Sequence, residues 1–225
     1  MRTPRTSALA SILSLAFGLC ASAHAHTASL KVTGVNSGAL SVSLSQAGSV
    51  ETVTAGQLSL LTSTGQSFAA YCVELSQSTS SSFQTYDIGS FTGTQATQLE
   101  GLFSATSLYS GSDKIDTSLE YAAFQVAVWE ITHETSSQRN VSLSKGSLYV
   151  AGQGSSALSI AAKANSYLSD ALAYKGADLF TVYKLSNSKY QDFVVATPVP
   201  ELNRAAMMAL GLGVVGLAVR RRMSR

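Results

Sequence analysis

The stretch AAFQVAVWEI, residues 122–131, constrains the chain most strongly. Seven of the eight residues from Ala122 to Trp129 are apolar, and the exception is Gln125. A helix that is apolar all round has no face to give to water, so the rest of the fold must enclose it. The primary amide inside it adds a second constraint. A buried amide without partners costs on the order of a few kcal/mol, so Gln125 is either satisfied or used.

The two ends set the limits of the foldable body. Arg2 and Arg5 precede an apolar run from Ala8 to Leu19, and small residues then lead to Ala23-His24-Ala25. Charged, apolar and small segments in that order form a secretory signal peptide, residues 1–25, cut after Ala25. Cys20 leaves with it as an apolar filler. At the other end, Val199-Pro200-Glu201 is followed by an apolar run of fifteen residues, 205–219, and then by Arg220, Arg221 and Arg222. Fifteen residues fall short of the roughly 20 of a spanning helix, and flanking residues extend the reach only by snorkelling. The arginines would stay cytoplasmic and leave the body outside.

This C-terminal pattern, residues 198–225, resembles the PEP-CTERM sorting signal of Gram-negative bacteria. The resemblance implies an inner-membrane stage and removal of the helix by an exosortase after signal peptidase has acted. Delivery to the cell surface or a biofilm matrix follows. Leu202 stands where that signal has its second proline.

The body is then residues 26–197, enough for one domain with a real core. Seven of the fifteen basic residues lie in the two end segments, which leaves eight. Only Glu201 is lost from the thirteen acidic residues, which leaves twelve and a net charge near −4. No clustered basic face exists to hold nucleic acid. Partial alternation marks strands at ASLKVTG, ALSVSLS, SVETVTAGQLSLLTS and SFAAYCVEL, and DLFTVYKL-SNSK-YQDFVV marks a terminal hairpin. Helical spacing predicts three helices, over 94–106, 117–133 and 156–173. The second opens with Thr117-Ser118-Leu119-Glu120, a capping-box arrangement. Residues 76–84 and 134–140 read as exposed loops. The expected fold is α+β, mainly β: a sandwich-like body with three inserted helices.

Cleavage after Ala25 leaves Cys72 as the sole cysteine. It cannot form an internal disulfide, so it is a buried filler, a reactive thiol or a link to another chain. Gln125 by itself reads as a structural amide bridging to a neighbouring strand.

Together, Tyr71-Cys72 and Phe124-Gln125-Val126-Ala127-Val128-Trp129 resemble the paired motifs of the thioester domains of bacterial surface adhesins. The resemblance extends over roughly residues 60–195. It implies an internal thioester between the Cys72 sulfur and the Gln125 side-chain carbonyl. That bond would open once on an amine- or hydroxyl-bearing surface or matrix polymer, so the protein is not a turnover enzyme. Trp129 lies one turn beyond Gln125 and Tyr121 one turn before it, and with Tyr71 they are candidates for a shielding layer. His133 is a candidate proton carrier, although a cation at a helix end is also favoured by the helix dipole. Glu74 follows Cys72 by two residues, on the same strand face.

Other chemistries find less support. EITH matches one half of a di-iron motif without the second copy. HETSS lacks the second histidine of a zinc protease. No metal ligand set or cofactor motif is evident, and no nucleophile elbow or phosphate loop appears. Two alternatives stay open: a non-covalent structural or carbohydrate-binding matrix protein, and a hydrolase pairing Cys72 with His133.

Overall fold

The computed structural model describes residues 26–36, 38–108, 114–134, 146–152 and 154–199. The expected signal peptide, the loop 135–140 and the sorting residues Pro200, Glu201, Arg220, Arg221 and Arg222 lie outside the described residues. Among the described residues no helix is long and apolar enough to cross a membrane.

Nine strands and three helices are described: β1 (Thr27–Val35), β2 (Leu40–Gln46), β3 (Ser49–Ala55), β4 (Leu58–Thr62), β5 (Ser67–Cys72), β6 (Gln84–Ser90), α1 (Gly93–Ser107), α2 (Ser118–His133), β7 (Leu148–Val150), α3 (Ser155–Ala173), β8 (Phe180–Ser186) and β9 (Phe193–Pro198). The chain is therefore mainly β with three helices, as expected. The sandwich-like arrangement is not what the strands form. Six of them close into a barrel in the order β1-β4-β5-β9-β8-β6, and β3-β2-β7 make a separate sheet. The closure follows from β1, which pairs antiparallel with β4 along one edge and with β6 along the other. No edge of that sheet is left unpaired. Alternation along one strand shows which face is buried but not which neighbours it takes, so closure was not visible beforehand.

Local rules account for most element boundaries. β2 and β3 join through Ala47-Gly48, whose φ values of 50° and 86° form a two-residue turn. Gly56-Gln57 separates β3 from β4, which the sequence had presented as one continuous run. Thr117 and Glu120 form the expected capping box, with the Thr117 hydroxyl accepting from the Glu120 N–H and the Glu120 carboxylate accepting from the Thr117 N–H at 3.0 Å. β6 and β7 were not anticipated. β6 does alternate, with Tyr86 inside the barrel, but Asp87, Gly89 and Ser90 hide the pattern.

Two apolar clusters result. One fills the barrel, with Leu30, Leu60, Ala70, Tyr86, Leu185 and Phe193. The other lies between the outer face of the barrel, the second sheet and the helices. Helix α2 is at its centre, and every residue from Ala122 to Ile131 is buried. That enclosure answers the constraint of the all-apolar helix. Helices α1 and α3 meet at Gly101, where an added Cβ would lie 2.9 Å from the Ala171 carbonyl oxygen. Gly101→Val is therefore expected to lose about 1–3 kcal/mol through overpacking. A lowered urea midpoint at unchanged slope is the expected reading, and an unchanged midpoint would mean that the helices part freely.

Candidate functional site

Strand β5 brings Cys72 to the lower end of the barrel. β4 pairs with β5 only as far as Leu58 opposite Ala70. On the other edge of β5, Tyr71 faces Val194 and Cys72 faces Phe193 of β9. The Val73 N–H donates to the Asp192 carbonyl, so the N–H and C=O of Cys72 point the opposite way, to the side where β4 is absent. Two main-chain groups would be left there without a strand.

The Gln125 side chain takes the place of that strand. The Cys72 N–H donates to Gln125 Oε1 at 2.8 Å, and Gln125 Nε2 donates to the Cys72 carbonyl at 2.8 Å. Gln125 is fully buried at 0 % exposure. The amide therefore lies across the main chain of Cys72, whose Sγ is two bonds from the Cα between the bonded groups. Two turns further along α2, the Thr132 hydroxyl donates to the Val73 carbonyl at 3.1 Å. Gln125, Trp129 and Thr132 follow at i, i+4 and i+7, so one helix face clamps one strand end.

Alternation points Ala70 and Cys72 toward the barrel interior and Tyr71 and Val73 toward α2. Being at the barrel's end, Cys72 packs against both clusters. It also borders a cleft of about 430 Å³ with Trp129, Glu74, Gln77 and Gln191. Burial, with a smaller contribution from the Glu74 charge, pushes the Cys72 thiol up to about 12. Glu74 is raised too, chiefly by burial, although its carboxylate accepts from the Asp192 N–H at 3.2 Å. Gln191 holds the loop beneath by donating to the Glu74 carbonyl at 2.5 Å. The Lys184–Asp192 ion pair, at 2.9 Å, braces the same end of the barrel.

The other expected site residues separate into two groups. Trp129 borders the Cys72 cleft at 2 % exposure, and its indole N–H has no hydrogen-bond partner among the described residues. Tyr71 and Tyr121 belong to the opposite face of β5, in the helix cluster. The Tyr71 ring lies 4.5 Å from that of Phe124, and its hydroxyl accepts from Gln57 at 3.1 Å. Burial raises the Tyr71 hydroxyl far above its usual value. Both tyrosines pack in the helix cluster, whereas Trp129 alone of the three rings borders the thiol cleft. His133 Nδ1 lies 3.1 Å from the Trp129 carbonyl and 3.0 Å from the Thr132 hydroxyl. Burial lowers its pKa, and the ring is not among the residues that line the Cys72 cleft. Sequence reasoning missed Thr132 and Gln191; the first was legible as the i+7 neighbour of Gln125, and the second had no local signal.

Among the described residues no group of histidine, cysteine or carboxylate side chains could hold a metal ion. Gln125→Leu leaves the Cys72 N–H and C=O unpaired and is expected to cost about 2–6 kcal/mol, at 1–3 per group. Thr132→Val removes one hydroxyl bond and is expected to cost about 1 kcal/mol, so urea unfolding should rank the two variants in that order. With a pKa near 12, a free Cys72 thiol is expected to react with iodoacetamide about tenfold faster per pH unit between pH 7 and 10. A rate that levels off near pH 8 would contradict that burial. No protein-family model, curated protein or solved structure matches this chain.

Proposed function

We propose that the chain is an exported surface or matrix protein that attaches covalently through a thioester between Cys72 and Gln125. The signal-peptide pattern of residues 1–25 and the PEP-CTERM-like segment support export. The observation that carries the chemistry is the Gln125 amide held across the main chain of Cys72 by two 2.8 Å hydrogen bonds.

In this reading the Cys72 sulfur attacks the Gln125 side-chain carbonyl carbon. The Cys72 N–H already donates to the oxygen on which negative charge develops, as an oxyanion-hole donor does. The bond to the amide nitrogen breaks, the thiol proton completes the leaving ammonia, and a thioester remains. An incoming amine or hydroxyl later attacks the same carbon and displaces the Cys72 thiol. The polymer is then joined to Gln125 by an amide or an ester. Burial of the amide at 0 % exposure supports the persistence of such a bond against water.

A second reading is favoured by the same pair of bonds. They satisfy both ends of the amide, so Gln125 also serves as a structural bridge in a non-covalent matrix protein. The two readings differ in mass. In the processed protein recovered from the producing cells, the expected intact mass is one ammonia below the sequence mass. The deficit should disappear in Cys72→Ala and Gln125→Ala and be replaced by a methylamine adduct on treatment of the native protein. A full mass with an alkylatable Cys72 in the native protein would leave the structural bridge as the function of the pair.

A further inference from the structure

The upper half of the barrel holds a cavity unrelated to Cys72. Its volume is about 750 Å³, within the range of small-molecule sites. Leu30, Phe68, Ile88, Tyr183, Leu185 and Val195 contribute most of its wall, and no lysine, arginine or carboxylate lines it. The alternation that sends Ala70 and Tyr86 inward sends these side chains inward too. The buried rings of Tyr86 and Phe193, packed with centroids 5.6 Å apart and tilted by 41°, fill the lower half of the barrel and give the cavity a floor. Its rim carries hydrogen-bonding groups from His26, Ser90 and Thr197. Ile88, at the mouth, is 37 % exposed.

The mouth is also where the chain enters and leaves the barrel. His26 precedes β1, and Thr197 is near the end of β9. Only five residues, 200–204, separate Val199 from the apolar run 205–219. Five extended residues span at most about 18 Å. If that run is embedded in a bilayer, the mouth stays within reach of the lipid surface. The run itself is a poor occupant as a helix, because a helix with its side chains is about 10–12 Å across. An eight-stranded barrel is just wide enough for side chains or one small ligand, and six strands enclose less. A single extended hydrocarbon chain is slim enough.

We infer that the barrel lumen binds the acyl chain of a membrane lipid, tail inward, with the head group left at the rim. The inference does not involve the thioester. It takes from the proposed function only the membrane stage, which brings the mouth to the lipid.

The test uses the full chain reconstituted into phosphatidylethanolamine–phosphatidylglycerol vesicles doped with phosphatidylethanolamine that carries a diazirine on its acyl chain. After illumination, peptide mass spectrometry is expected to find label on Leu30, Phe68 or Tyr183. Ala28→Phe and Ser90→Phe narrow the lumen from two strands and are expected to lower that label severalfold. Label on 205–219 is unchanged in the same samples. The comparison is made on whichever variant keeps the wild-type far-ultraviolet circular dichroism. Label confined to 205–219 in the wild type, or barrel label unchanged in the folded variant, overturns the inference. Barrel label from free diazirine palmitate but none from the phospholipid overturns the membrane source. Loss of the Cys72–Gln125 mass deficit leaves this test unaffected, so the two readings fail separately.

Discussion

A side-chain amide bonded to a main chain holds this molecule together. β5 loses its β4 neighbour after Ala70, and without Gln125 the N–H and C=O of Cys72 would face the interior unpaired. Each such group costs about 1–3 kcal/mol, a large share of a typical domain's stability. The amide removes that cost only from the middle of a helix that is itself buried on all sides. The barrel therefore fixes the helix, and the helix completes the barrel. Thr132 repeats the arrangement two turns on, against Val73. Two hydrogen-bonding side chains on one helix face thus join a barrel and a helical layer that apolar contact alone would let slide.

The same enclosure sets the terms for any chemistry at Cys72. A thiol pushed up to about 12 lies on the order of 7 kcal/mol from its thiolate at pH 7, at 1.36 kcal/mol per unit. A free thiolate is therefore a poor starting point for attack on Gln125. Glu74 borders the same cleft, and burial raises its proton affinity as well. Part of the rise at Cys72 comes from the Glu74 charge. Moving the thiol proton toward Glu74 as the carbon–sulfur bond forms would relieve both groups, whereas His133 is held against the Trp129 carbonyl away from the cleft. A sequence search for a base finds the histidine because histidine titrates near neutrality. Glu74, and not His133, borders the cleft with Cys72, and position decides which base could act.

Much of this was legible before any coordinates. The helix over 117–133 with its capping box, the strand through Cys72 and the terminal hairpin all follow from local chemistry: apolar spacing, a threonine–glutamate cap and β-branched or aromatic runs. The meeting of Cys72 and Gln125, 53 residues apart, was reached through a paired motif and not through local pattern. Barrel closure was not legible, because each strand pattern fits a sandwich and a barrel alike. β6 was missed because a strand with its outer face in solvent tolerates Asp87 and Gly89, and because Ser90 interrupts the apolar inner face at the mouth. Tyr71 and Tyr121 were expected around the thiol because neighbours in sequence look like neighbours in space. In a strand, successive side chains face opposite ways, and that alone sends Tyr71 to the other side.

The barrel's two ends are chemically unlike, and Tyr86 packed against Phe193 lies between them. Above that ring pair the wall is mostly apolar, with His26, Ser90 and Thr197 at the rim. Below it come Cys72, Glu74, Gln191 and the Lys184–Asp192 pair. An opening that admits hydrocarbon also admits water unless something stops it short of the reactive end. Tyr86 is 1 % exposed and Phe193 is 0 % exposed, so the two rings form a buried apolar layer between the two ends. Chemistry that needs a dry acyl group at one end can coexist with a greasy mouth at the other only if such a plug is kept. The two rings come from β6 and β9, strands that do not pair with each other, so the plug spans the barrel and depends on its closure.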